Sequence, residues 1–276
     1  MSGPGVYMLS WIRISFVSAL FASLLVLPLQ AQNTEQLEVG PPPLHRVAPP
    51  APGLSPEELE KRGDSLREDK NFLDAVDYYQ AELKGAPPSA SVLNKLGICQ
   101  LMLQRYKEAR KSFERAIKAD RNHADAYNNL GVVYYQGHDY NRAISHYEKA
   151  VSLNNDAASY YSNMGAAYFG KKKFDRAIQN YSRAMELDPD IFERTSHAGV
   201  MAQLPSPDDR AHYDYVLAKL YAKTGISDRS LHYLKKAMEE GYKDINNVYK
   251  DNEFSALRKD PRFSELMATK TLAISD

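Results

Sequence analysis

The chain has 276 residues, of which 43% are hydrophobic and 25% charged, and its 35 Lys and Arg balance 35 Asp and Glu. Such a neutral composition fits an ordinary soluble protein and withholds the basic excess that phosphate neutralisation needs, so nucleic acid is not an expected partner. The 19 tyrosines suit either helix packing with a hydroxyl at the wet edge or an adhesive face.

Residues 1–31 read as an export signal. Arg13 precedes an apolar run over 14–27, followed by Pro28 and the small residue Ala31, and the run is shorter than the roughly 20 residues a membrane span needs. Cleavage after Ala31 leaves an exported chain, periplasmic or secreted, with no membrane insertion; an uncleaved signal leaves it anchored. Residues 32–55 hold Pro41, Pro42, Pro43, Pro49, Pro50 and Pro52, which exclude helix and give a Pro-rich linker.

From residue 56 the chain repeats itself. A shift of 34 residues brings Gly63, Gly97, Gly131 and Gly165 into one column, Ala75, Ala109, Ala143 and Ala177 into a second, and Tyr79, Phe113, Tyr147 and Tyr181 into a third. A fourth column holds Ala116, Ala150 and Ala184, with Glu82 as its exception in the first unit. Small residues let helix axes approach while an aromatic fills the gap between them. The departures of the first unit fit a terminal repeat whose outer face meets water.

These columns at this period resemble the tetratricopeptide repeat (TPR) family. The resemblance implies an all-α, right-handed superhelical solenoid of helix-turn-helix units, with four repeats at 56–89, 90–123, 124–157 and 158–191. Beyond Pro189 the register slips. Asp175-Arg176-Ala177-Ile178 and Ala184-Met185-Glu186 recur as Asp228-Arg229-Ser230-Leu231 and Ala237-Met238-Glu239 at a shift of 53, so an insertion at 192–210, with a short helix near 194–203, precedes a degenerate fifth repeat at 211–244. Its first helix is expected near 211–223, with Leu217, Ala218 and Tyr221 packing, Gly225 at the turn and Leu234 in the aromatic column. Phe254, Leu257, Phe263 and Leu266, interrupted by Asp260-Pro261, predict two capping helices over 245–270. This tail resembles a terminal segment of bacterial exported TPR proteins.

Chemistry is not expected. The seven histidines show no paired metal-ligand spacing, no phosphate-cradling or nucleophile motif is present, and the lone Cys99 lies in an apolar helix. Catalytic, cofactor and metal residues are therefore all predicted as none.

Function must come from shape, and stacked helix pairs present an extended surface for peptides. The resemblance places groove residues on the first helix of each unit: Asn94, Ile98, Leu101 and Met102, then Asn128, Val132 and Tyr135, then Ser162, Ala166 and Phe169. On this reading Leu101, Met102, Tyr135 and Phe169 grip an apolar segment while Asn94 and Asn128 hold its backbone. The carboxylate-gripping pattern of some relatives is not matched, because Lys95 stands without basic partners on the next helices. The expected protein is a non-enzymatic scaffold or assembly factor with a protein or peptide partner; the alternatives are an accessory subunit of an envelope enzyme complex and a self-assembling solenoid.

Overall fold

The computed structural model describes residues 49–85, 87–193 and 207–272, all within the compact unit His45–Asp276. The expected signal, most of the linker and the helix near 194–203 lie outside the described residues. Eight helices follow in pairs: α1 (Pro56–Glu68) and α2 (Phe72–Gly85), α3 (Ala90–Met102) and α4 (Tyr106–Ala119), α5 (Ala124–Gln136) and α6 (Tyr140–Leu153), α7 (Ala158–Gly170) and α8 (Phe174–Leu187). Each helix packs on the next, and α3 touches α5 as α5 touches α7. This is the all-helical solenoid expected from the columns.

The first helix starts where local chemistry dictates. The Ser55 hydroxyl accepts from the Glu58 amide at 3.2 Å while the Glu58 carboxylate accepts from the Ser55 amide at 2.9 Å, and Pro56 fills the first helical position. Within each pair the turn closes the same way. The amides of Asn71, Arg105, Asp139 and Lys173 donate to carbonyls five residues back, and the residue before each, namely Lys70, Gln104, His138 and Lys172, takes a positive φ of 57–62°. This doubly bonded helix stop usually recruits glycine. Here glycine appears only in the displaced unit, where Gly225 has φ 78°, 53 residues after Lys172. Gly225 thus takes in the turn between Lys223 and Ser227 the position that Lys172 takes in the turn before Phe174.

The columns meet as their sizes require. A Cβ on Gly97 or Gly131 would sit 2.5 Å from the ring of Phe113 or Tyr147, and one on Gly165 would sit 2.6 Å from Tyr181. Ala75, Ala109, Ala143, Ala177, Ala116, Ala150 and Ala184 are all fully buried. Many tyrosines, among them Tyr79, Tyr147, Tyr160, Tyr181, Tyr215 and Tyr221, are buried as well, so the abundance of this residue serves packing.

The fifth pair is α9 (Pro207–Lys223) and α10 (Ser227–Glu239). Helix α9 begins four residues before the expected 211, because proline is well placed at a first helical position. Leu217, Ala218, Tyr221, Leu234 and Ala237 are buried, and Ser230, standing in an alanine column, donates its hydroxyl to the Ala218 carbonyl at 2.7 Å. The first residues of the insertion are pinned onto this pair: Phe192 meets Tyr181 and Tyr213 edge-on, and Tyr221 donates to Glu193 at 3.2 Å.

The tail departs from expectation. One α-helix, α11 (Pro261–Leu272), follows three short 3-10 turns, Ile245–Tyr249, Asn252–Phe254 and Leu257–Lys259. Asn246, Asn247, Asp251 and Asn252 compete with a helical backbone, and the Arg258 guanidinium fixes the folded-back chain by donating to the Val248 and Asp251 carbonyls, both at 2.9 Å. Ile245, Val248, Phe254, Leu257, Phe263 and Met267 are nonetheless buried, so the segment does cover the core of the last pair.

Glu82 is the one misfit among the columns of the first four pairs. It is 6% exposed, its Oε2 has no hydrogen-bond partner, and burial, reinforced by Glu60, Asp64 and Glu57 on α1 and only partly offset by Lys95 on α3, pushes its pKa up to about 7. A carboxyl whose folded pKa lies above its unfolded value of 4.5 favours the fold while protonated. Its contribution to stability is therefore fully present below about pH 4.5 and is lost as pH rises through about 7. Glu82→Ala completes the alanine column, and melts at several pH values should show a gain of about 1–3 kcal/mol at pH 8 that shrinks towards pH 5. A variant no more stable than the parent at pH 8 would remove the strain assigned to this carboxyl.

Candidate functional site

The first helices α3, α5 and α7 stand side by side and form the wall on which the groove residues were expected. A chain of amides crosses it. Asn163 donates to the Asn128 side-chain oxygen at 3.0 Å, Asn128 to Asn129 at 3.2 Å, and Asn129 to Asn94 at 3.0 Å. These groups are buried, and hydrogen bonds in a buried network fix the relative register of the helices that carry them. Asn94 and Asn128 thus bind their neighbours, which differs from the expected role of holding a ligand backbone. The N-terminal end of the wall is tied by charge, as Lys95 reaches Glu60 at 2.8 Å and Asp64 at 2.6 Å, while Asp64 accepts from the Tyr79 hydroxyl at 2.7 Å.

Below the amides runs an aromatic band that sequence reasoning missed. Phe72, Tyr106, Tyr140 and Phe174 recur every 34 residues at the start of the second helices. In the third and fourth pairs the ring faces the end of the first helix across the turn. Tyr140 lies 5.4 Å from Tyr135, and Phe174 lies 5.1 Å from Phe169. Tyr140 also covers Gly170, where a Cβ would approach its ring to 2.7 Å. His212 and Tyr213 of α9 close on Phe169 at 5.3 and 6.0 Å.

Exposure sorts the ten expected residues. Val132, Tyr135, Ser162, Ala166 and Phe169 are buried, as are Asn94, Leu101 and Asn128; Ile98 is half-buried. Tyr135 at 2% and Phe169 at 0% exposure are packed into the core, so the expectation that their rings stand free in the groove is corrected. The cause is the aromatic band and α9, which supply the rings that cover them. Only Met102, at 48%, presents a large surface, and Tyr106, four residues on around the turn, adds another at 39%. Met102 and Tyr106, with half-buried Ile98, thus form the most exposed apolar group of this wall, in the second pair, whereas Tyr140 and Phe174 are half-buried.

Among the described residues, no group of three or more His, Cys, Asp or Glu side chains is arranged to hold a metal. Cys99 is buried, and that burial pushes its pKa up to about 12, which keeps it a thiol and a packing group. No described helix is long and apolar enough to cross a membrane.

Comparison with protein families matches two tetratricopeptide-repeat models, one over residues 90–156 and one over 158–191. Solved structures with similar coordinates include a thermophilic TPR protein of Thermus thermophilus, 20% identical, covering 74% of this chain and 99% of that one with a TM-score of 0.49. MamA is 24% identical over 64% of this chain and 93% of that one, with a TM-score of 0.45. YrrB, described as a TPR protein with an unusual peptide-binding site, is 20% identical over 67% and 85%, with a TM-score of 0.44. Comparison with curated protein sequences gives no match.

Proposed function

Because the chain belongs to the tetratricopeptide-repeat family, whose members mediate protein–protein interaction, we propose that it is an exported, non-enzymatic scaffold that binds an apolar polypeptide segment on its first-helix wall. The observation that carries this reading is the exposure of Met102 and Tyr106 beside half-buried Ile98, on a wall whose Tyr135 and Phe169 rings are covered by Tyr140, Phe174 and α9. Large apolar side chains left together at a surface mark interaction sites. The wall of α5 and α7 then acts as a rigid support, and the binding patch belongs to α3 and the turn into α4. Export rests on the Arg13, apolar-run and Ala31 pattern.

The test starts from protein recovered from its host, whose mass must lack residues 1–31 if the signal is cleaved. That protein is then probed with an immobilised library of amphipathic peptides, beside a Met102→Glu, Tyr106→Ser variant. Peptides with apolar residues at helical spacing should bind the parent, and the variant should bind on the order of a hundredfold more weakly, since loss of an anchor typically costs about 2 kcal/mol. Equal binding by both proteins would remove this patch as the site.

A further inference from the structure

Whole-chain neutrality conceals a strong local imbalance. The second pair with its loops, residues 90–123, carries eight Lys and Arg against three Asp and Glu, whereas residues 124–157 carry two against four. The excess is concentrated on α4. Lys107, Lys111, Arg115 and Lys118 are all exposed and lie at successive steps of three or four residues, opposite the buried face of Ala109, Phe113 and Ala116. The equivalent positions of α2, α6 and α8 hold one cation each, Lys84, Lys149 and Arg183.

None of the four α4 cations has an ion pair or hydrogen bond among the described residues; the neighbouring Arg110 is matched by Glu114 at 3.7 Å. Like charges three or four apart repel and weaken the helix that carries them. The exposed Glu108 and Glu114, three or four residues from Lys111 and Lys118, offset only part of this charge, and the cationic excess that remains on the stripe suits an external anion.

The geometry points to α4 as a second docking surface, for an acidic polypeptide segment that runs along the Lys107–Lys118 stripe. Its length, about 16 Å for the rise along the helix from Lys107 to Lys118, suits one helix or strand that presents carboxylates on one side. A lipid surface is less suited, because beyond Tyr106 at its start the large apolar residues of α4 are turned inward and leave little to insert beside the charges. The stripe starts at Lys107, next to Tyr106, and runs along α4 on the side away from the α3 residues that line the wall, so Lys111, Arg115 and Lys118 lie apart from the patch of Ile98, Met102 and Tyr106.

Fluorescence anisotropy of a labelled oligoglutamate peptide with the full chain tests this, at low and at high salt. The parent should bind it, and Lys111→Glu with Arg115→Glu should bind at least about tenfold more weakly, because like charges across an interface are disfavoured. Lys111→Gln with Arg115→Gln should fall between them, and Lys172→Glu, in another turn, should bind as the parent does. Binding should weaken as salt rises from about 0.05 to 0.5 M. Circular dichroism must show all variants equally helical. The assignment is overturned if the parent does not bind, if the α4 variants bind as well as the parent, or if a single-stranded oligonucleotide or phosphatidylglycerol vesicles bind at least as tightly as the peptide. Loss of the Met102 and Tyr106 side chains should leave oligoglutamate binding unchanged, which separates failure of one surface from failure of the other.

Discussion

Arginine in place of Ala143 or Ala177 should unfold the repeat that receives it. Both alanines are fully buried within the main hydrophobic cluster, in the column that sets the spacing of paired helices. A guanidinium there meets neither room nor counter-charge, and burying an unpaired charge costs at least several kcal/mol even after local relaxation. Total stability of a domain is only about 5–15 kcal/mol. Each pair stands on its neighbours, so the loss spreads along the stack. Circular dichroism melts should fall by about 10 °C or more, at roughly 2–4 °C per kcal/mol for a domain of this size. Ala119→Arg is the control, since that residue is exposed at the end of α4, and its melt should match the parent's. If the two buried variants also melt within a degree or two of the parent, the column register is wrong.

The columns were legible because packing restricts them by size. A position against a ring admits glycine, as Gly97 and Gly131 show, and that restriction leaves a mark at every repeat. The same restriction underlies the shift of 53, since Ala237 is fully buried as Ala184 is. The turn residues carry no such mark. Lys70, Gln104, His138 and Lys172 share a positive φ yet no side-chain type, because the two hydrogen bonds of the helix stop impose the conformation on whatever residue stands there.

The wall was legible only in part. Resemblance places the groove on the first helices of the pairs, but exposure of a side chain depends on what other segments lay over it. Tyr135 and Phe169 are covered by Tyr140, Phe174 and His212, of which the last arrives from beyond the insertion. Spacing within α5 or α7 contains no information about that cover. The column of Phe72, Tyr106, Tyr140 and Phe174 is visible at the same 34-residue shift, and its start-of-helix position is what turns it towards the wall. The charge of α4 illustrates the opposite difficulty: a balanced total of 35 and 35 averages away a local excess.

The first-helix wall is sealed in its third and fourth pairs and open in its second, and paired melts test this most directly because they need no partner. Tyr135→Ala and Phe169→Ala each remove a buried ring, and such truncations typically cost about 3–5 kcal/mol, whereas Met102→Ala and Tyr106→Ala remove surface that is already wet and should cost no more than about 1 kcal/mol. Urea or thermal unfolding of the four variants should therefore separate into two groups, with the α5 and α7 variants far less stable than the parent and the Met102 and Tyr106 variants close to it. Tyr135→Ala and Phe169→Ala variants as stable as the parent would contradict a sealed wall and return those rings to the binding surface.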